Sequence, residues 1–290
     1  MSNEAPAWFQ EQWNSRVTLV YQQKGYLTRG MSTGPTRVDG KKMHFPIAGK
    51  GVAQSYARGD AVKPMNATRG EILLDAEEWD AGDYVYQYDI DRMLPNELDV
   101  VRDTAAMALG RKHDEILYDK VKALKSALVS AGQVVNDYTD LPGPGDILAA
   151  RRILFNADVP VEDGANFCGL PPVVFDNMMS FEVFANSQWV GPNLPFADGL
   201  RRRSWQNIHF FELPVHLQQN LTGTEGDFFM WHRSSLGTGH TGAPVRSDFE
   251  KEVKYKRWWW HSTISGGATV IQQAGIVLVK YKTDALPTFT

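Results

Sequence analysis

The stretch EKEVKYKRWWWHSTIS, residues 250–265, sets three consecutive tryptophans directly after a run of alternating charges. Two readings compete. Trp258, Trp259 and Trp260 can stack on nucleic-acid bases, with Lys254, Lys256 and Arg257 against phosphates. They can equally lie in one strand that protein covers on both faces. Alternation along an extended strand puts Val253, Tyr255, Arg257, Trp259 and His261 on one face, and Glu252, Lys254, Lys256, Trp258 and Trp260 on the other. The first face is largely apolar and suits packing on a helix. The second starts charged and ends with two indoles. Glu250 and Glu252 dilute the positive charge that a base-stacking groove needs, which favours two-sided burial. Trp259 is therefore expected inside its own subunit, and Trp258 and Trp260 against a neighbouring one.

The rest of the chain agrees with a protein that binds its own kind. At 290 residues, with 43% hydrophobic and 22% charged residues, it is long enough for one large domain or two intimate lobes. Eleven per cent of the residues are aromatic and nine are tryptophan, a surplus that suits interfaces as well as cores. The net charge of −4 argues against binding DNA by general basicity. Cys168 is the sole cysteine, so no intrachain disulfide forms and a reducing compartment is expected. Its apolar neighbours in NFCGLPPVVF suggest an inert buried thiol rather than a nucleophile. The N-terminus lacks the charged and apolar regions of a secretory signal, and no apolar run has the ~18–20 residues of a membrane span. The sequons at Asn66 and Asn220 are accordingly given no weight.

Several elements are legible by pattern. Residues 1–37, dense in Gly and Pro at TRGMSTGPTRVDGKK, read as an extended arm without a core of its own. Residues 43–75 show apolar alternation at both ends and glycines at 49, 51, 59 and 70 between, a long hairpin with an adaptable tip. An isolated hairpin of that length is marginal in water, so something must support it. WDAGDYVYQYDID, residues 79–91, is a strand that leads into the clearest helix. There Asp89 and Asp91 precede the start, Pro95 suits the first turn, and Leu98, Val101, Ala105, Leu109, Ile116, Leu124 and Leu128 hold the helical period. The pattern spans roughly 45 Å. Leu98, Val101, Leu109 and Ile116 are expected in the core together with Trp259. LPGPG at 141–145 reads as a hinge, followed by a helix at 145–157, a strand and helix in FCGLPPVVFDNMMS, and strands in NIHFFELP, GDFFMWHRSSLG and TVIQQAGIVLVKY. Alternating helices and strands make this middle lobe α+β or α/β.

Catalytic motifs are missing. There is no phosphate-binding glycine loop, nucleophile elbow or metalloprotease helix. Seven histidines, at 44, 113, 209, 216, 232, 240 and 261, include no i, i+4 pair. His209 with His216, or His232 with His240, lacks the accompanying carboxylate pattern of a metal site. Asp89 with Asp91 is explained by helix-start chemistry and Glu77 with Glu78 by a solvated strand end. Arg201, Arg202 and Arg203 read as an exposed turn. No enzyme activity, metal or cofactor is expected.

The order arm, glycine-punctuated hairpin, long helix, α/β lobe and returning strand resembles the major capsid proteins of tailed double-stranded DNA phages, of the Hong Kong ninety-seven type, with the pattern nearest to short-tailed phages. GKKMHFPIAGKGVAQSYARGD is similar to their hairpin, the E-loop. VYQYDIDRMLPNELDVVRDTAAMALGRKHDEIL is similar to the approach and first half of their spine helix. DGANFCGLPPVVFDNMMS and GLRRRSWQNIHFFELP are similar to the A-domain pattern, and FFMWHRSSLGTG with the 250–264 strand resembles the return to the P-domain.

The resemblance implies an α+β capsid fold with an arm at 1–37, an E-loop at 38–78, a P-domain with the spine helix at 79–143 and an A-domain at 144–244. A P-domain return strand at 245–265 and a C-terminal strand at 266–290, back in the A-domain, complete it. It further implies a homo-oligomer of pentamers and hexamers closed into an icosahedral shell around double-stranded DNA, without sequence-specific binding, cofactor or membrane. A separate scaffolding protein and a portal vertex are the implied partners, the virion is the implied location, and assembly is expected in the host bacterial cytoplasm. On this reading Lys50, Tyr56, Arg58 and Lys63 of the E-loop join Trp258 and Trp260 as inter-subunit residues. No lysine crosslink is expected, since nothing marks an acceptor for Lys50 or Lys63. An encapsulin nanocompartment, which shares the fold, and a nucleic-acid-binding or enzymatic α+β protein remain the alternatives.

Overall fold

The computed structural model describes residues 25–59, 61–87, 97–181, 202–218 and 225–282. Residues 1–24 of the expected arm, the helix-start residues Asp89, Asp91 and Pro95, and the side chain of Leu98 lie outside that description. Along the chain come β1 (Arg37–Asp39), β2 (Lys42–Ala48), β3 (Arg69–Asp75), β4 (Glu77–Tyr86), α1 (Glu97–Ala123) and α2 (Lys125–Ser130). Then follow β5 (Val134–Val135), α3 (Pro144–Asn156), β6 (Asn166–Leu170), α4 (Pro172–Ser180), β7 (Arg202–Trp205) and β8 (Ile208–Glu212). The last four strands are β9 (Glu225–His232), β10 (Leu236–Glu252), β11 (Arg257–Val270) and β12 (Ile276–Lys282). The described residues fall into two compact units, one of Gly25, 78–111 and 245–264, the other of 26–77, 112–244 and 265–282.

The larger unit is built on a six-stranded sheet in the order β5-β12-β9-β6-β8-β7. It is mixed, with β6 parallel to β8, β12 parallel to β5, and the other neighbours antiparallel. Every residue of β9 after Glu225 is buried, which is why GDFFMWH shows no polar alternation. Phe228 and Met230 face a core closed by Ile147, Ala150 and Leu154 of α3 and Val174 and Met178 of α4. Phe229 and Trp231 face the opposite core, closed by Leu117, Tyr118 and Val121 of α1 and Leu128 beside them. β12 splits the same way, Val277, Val279 and Tyr281 to the first core and Ile276 and Leu278 to the second. Cys168 is fully buried in the first core, where the loss of water pushes its thiol far up, so it is inert at neutral pH.

Four sequence expectations change here. Residues 26–33 are no free arm: Met31 and Thr28 are buried, and the indole N–H of Trp231 donates to the Met31 carbonyl at 3.0 Å. A buried indole needs an acceptor, and this segment supplies it. LPGPG is a helix start and not a hinge. Pro144 occupies the first turn of α3, and Asp146 accepts the Gly143 N–H at 2.9 Å, with both flanks in one unit. The division between units runs through α1 at 111/112 and not at 143/144, because Leu117, Tyr118 and Val121 complete the sheet's second core. Arg202 and Arg203 belong to strand β7. The turn comes after it, at Gln206 and Asn207, whose φ of 53° and 63° give the two-residue loop of a tight hairpin.

In the smaller unit the opening stretch is not one strand. A single 3₁₀ turn at Val253–Tyr255, followed by Lys256 at φ 50°, separates β10 from β11, and β4 lies on the other side of β11. Lys254 and Lys256 therefore lie in a hairpin tip, and the alternation of faces starts only at Arg257. Along α1 within this unit Ala105 and Leu109 are buried and Val101 is half-buried.

Candidate assembly surfaces

The first candidate surface is the E-loop hairpin, in the larger unit. Its root is in register from Lys42↔Asp75 to Ala48↔Arg69. Met43 pairs with Leu74 and Phe45 with Ile72, so one face is apolar, and Met43, Phe45, Leu74 and Ala76 are buried with Ile72 and Ile271 against them. Two glycines of β10 make this packing possible. A Cβ on Gly237 would stand 2.7 Å from the Phe45 ring, and one on Gly239 would stand 2.3 Å from the Met43 sulfur. Real Cβ atoms do not come so close, so the alternating glycines of LGTG are the floor on which the hairpin rests. The opposite face is polar, with the His44 ring 2.7 Å from Glu71 and 3.4 Å from Asp39. The support that the hairpin was expected to need is thus supplied, for its root, by its own chain.

The tip, residues 49–68, is different. Gly49 N–H donates to the Thr68 carbonyl at 2.7 Å and closes the root. Beyond it Val52, Tyr56, Val62 and Met65 are 72%, 63%, 85% and 60% exposed. Those are large apolar side chains left mostly exposed among the described residues. Arg58 and Lys63 are exposed among them, whereas the Lys50 ammonium is ion-paired with Asp158.

The second candidate is the β10–β11 hairpin of the smaller unit. On one face Phe249 stacks on Trp258 with ring centres 4.6 Å apart and planes 6° from parallel, and lies 5.8 Å from Trp260. Lys251 sits 4.8 Å above the Trp258 ring. On the other face Trp259 packs 4.4 Å from Tyr84 of β4 and 5.9 Å from His261. Arg257 lies 3.6 Å over the Tyr84 ring and donates to Glu252 at 2.6 Å. All three tryptophans are half-buried. Trp259 is thus half-buried and not a core residue, with Tyr84 and His261 against it. Trp258 and Trp260 have Phe249 as a partial cover, a residue that parity within 250–265 alone could not supply. Their faces hold Phe249 and Lys251, and Arg257 is tied to Glu252, which leaves little of a base-stacking platform. Val253 and Tyr255 at the tip are 76% and 55% exposed.

Of the expected core residues, Leu109 is buried, Ile116 is half-buried against the second core, and Val101 is half-buried. The structure brings Lys50, Tyr56, Arg58 and Lys63 together on one tip and Trp258 and Trp260 on another face. Sequence reasoning missed Val52, Val62 and Met65, whose signal was present: apolar residues among glycines with no alternation.

Among the described residues no cluster of three or more His, Cys, Asp or Glu can hold a metal. One Ser–His–Asp chain exists, with His232 2.7 Å from the Ser234 hydroxyl and 3.0 Å from Asp163. The same His232 nitrogen accepts the Ser234 backbone N–H at 3.3 Å, so it caps the turn after β9.

A two-faced sheet with helices on both sides, a long helix, a supported hairpin with an apolar tip and a second hairpin carrying exposed aromatics together define a shell-forming subunit. Solved structures similar to it agree. The capsid of Ralstonia phage GP4 matches with a TM-score of 0.74 at 12% identity, over 99% of this chain and 100% of that one. The capsid of cyanophage P-SCSP1u gives 0.70 at 12% identity over 98% and 100%, and that of cyanophage Pam1 0.71 at 10% over 97% and 98%. At such identities the likeness shows the fold, the α+β capsid fold of the Hong Kong ninety-seven type. A search of curated proteins returned no match. A family model described as phage capsid protein matches residues 5–283, and the chain belongs to that family. It is a structural major capsid protein, a component of the virion shell and not an enzyme.

Proposed function

We propose that the E-loop tip and the tryptophan hairpin are the two surfaces through which copies of this chain close an icosahedral shell of pentamers and hexamers around double-stranded DNA. Val52, Tyr56, Val62 and Met65 carry the reading: four apolar side chains stand exposed on a tip whose root is packed. Exposed apolar clusters of that kind mark contact surfaces. Lys50, Tyr56, Arg58 and Lys63 border the contact, and Trp258 and Trp260 with Phe249 form the second. A separate scaffolding protein guides curvature, a portal occupies one vertex, and assembly takes place in the bacterial cytoplasm. The net charge of −4 suits a wall that encloses DNA without gripping it.

Sedimentation and electron microscopy of the purified chain, with and without its candidate scaffold, test the proposal. Hollow particles or discrete pentamers and hexamers are expected. A stable monomer at tens of micromolar under both conditions refutes it.

A further inference from the structure

Three elements of the larger unit meet at a pair of histidines. His113 of α1 is buried, and His240 of β10 is half-buried, with ring centres 5.4 Å apart and planes within 21°. Tyr26 covers His113 from the third element, segment 26–33, at 5.2 Å. The Nδ1 atoms of both histidines are buried and find no hydrogen-bond partner among the described residues.

The segment is fastened at both ends. At its start, Asp114 accepts the N–H groups of Leu27 and Thr28 at 3.0 and 2.9 Å and the Thr28 hydroxyl at 2.8 Å. At its end, Thr33 and β10 exchange backbone bonds with Leu236 and Thr238 at 2.8 and 3.0 Å. The histidine pair meets the segment at Tyr26, directly before the first fastening. We propose that His113 and His240 form a proton-sensitive clasp that holds segment 26–33 at neutral pH and loosens it in mild acid.

Two imidazoles stacked at 5.4 Å are compatible while at least one is neutral; two imidazolium rings at that distance repel. The charged and titratable groups facing them are Tyr26 and Arg29 of the segment and Asp114 of α1. Asp114 lies 3.6 Å from His113 Nδ1. His240 faces the His113 ring, feels the positive charge of Arg29, and is bonded to the Ser265 backbone of β11. Burial, then His113 and Arg29, hold His240 below its ordinary value of 6.5, against the raising effect of Ser265. A histidine lowered in the folded state takes up its proton on opening. Its contribution is complete above 6.5 and is lost as pH falls from 6.5 through the folded value. One proton taken up raises the opening equilibrium at most about tenfold per pH unit in that window. The clasp is independent of how subunits meet, so its fate and that of the proposed assembly surfaces are separable.

Hydrogen exchange of the full-length protein at pH 7.5, 6.5, 5.5 and 5.0 tests it, with rates corrected for intrinsic chemical exchange. Peptides over 26–33 are expected to lose protection as pH falls below 6.5, while peptides over 276–282 stay protected. In His240→Gln the response of 26–33 should flatten; His113→Gln removes one of the influences that hold His240 low and should shrink the response. Unchanged protection of 26–33 down to pH 5.0 in the unaltered protein overturns the proposal. So does an identical pH response in the unaltered protein and His240→Gln. If either variant fails to fold, the unaltered protein's profile decides alone.

Discussion

The packing of Phe45 on Gly237 makes a prediction about coupling and not merely loss. Gly237→Ala places a methyl 2.7 and 2.9 Å from the Phe45 ring and 3.1 Å from the Ile271 side chain. Phe45 is 3% exposed, so the ring has little room to withdraw. Overpacking of this kind costs about 1–3 kcal/mol. Gly237 is not among the residues with positive φ, so alanine meets no backbone strain there and regains about 0.4–1 kcal/mol through the unfolded chain. The net expectation is a loss of up to about 2.6 kcal/mol. Phe45→Leu, which removes the ring edge, should cost about 1–2 kcal/mol as a modest core truncation. In the double variant the alanine methyl occupies space that the ring has left, and its steric cost should vanish. The coupling should then be about 1–2 kcal/mol in the direction of rescue. Urea unfolding of dissociated subunits at fixed protein concentration, followed by tryptophan fluorescence, measures all four corners. Additivity within about 0.3 kcal/mol would refute the claim that β10 is the floor of the hairpin root.

Four further outcomes are expected. Deleting residues 51–66 and bridging the gap with two glycines should leave subunit unfolding unchanged within about 1 kcal/mol while particle yield in electron micrographs collapses, because the root closes at Gly49 and Thr68; outright unfolding would place the tip in the subunit core. Trp259→Ala should cost about 1.5–3 kcal/mol in thermal unfolding, below the ~3–5 of a fully buried aromatic, since Trp259 is half-buried. The Trp258→Ala/Trp260→Ala pair should lower particle yield more than subunit stability, and normal yield with lost DNA retention would restore the base-stacking reading. Asp114→Ala should cost about 2–4 kcal/mol, since it leaves buried N–H groups of the 27–28 segment unpaired. Burial raises the Asp114 carboxyl, but His113, Thr28 and Leu27 outweigh it and hold it below 3.8. Its contribution is present above 3.8 and lost as pH falls through the lower folded value, so the variant's deficit should shrink in urea melts below about pH 3.8.

Periodicity carried the elements whose burial repeats regularly. Leu109 and Ile116 on α1, the uninterrupted GDFFMWH of β9 and the glycine-marked hairpin at 43–75 were legible because each expresses one local rule. What failed were features that depend on a partner remote in sequence. Nothing around Met31 announces that Trp231, 200 residues away, needs its carbonyl. The glycines of LGTG look like loop punctuation until Phe45 and Met43 arrive against them. The tryptophan stretch was misread for a local reason. KYK carries no Gly, Asn or Pro, so the turn at Val253–Lys256 leaves no ordinary turn signature, and Lys256 adopts positive φ without one. Strand parity carried through that turn was an argument about residues that are not in a strand. It survived from Arg257 onward, where Trp258 and Trp260 do share a face and Trp259 takes the other.

That partial survival bears on how a shell can be both stable and assembled in order. Fully burying Val52, Tyr56, Val62 and Met65 on a neighbour would contribute roughly 1.5–3 kcal/mol each, or about 6–12 kcal/mol in all. Association of two free subunits costs an estimated 4–15 kcal/mol in lost freedom before any side chain is ordered. One tip docked on one neighbour is therefore close to break-even. The subunit does not need that contact to fold, because its sheet is already covered on both faces and the hairpin root is already packed. Weak single contacts between independently folded subunits favour closed rings over stray pairs, since a ring gains one more contact than the corresponding open chain for no further loss of freedom of that size. A subunit whose core depended on its neighbour would aggregate before it assembled; one with a finished core and unfinished tips can wait.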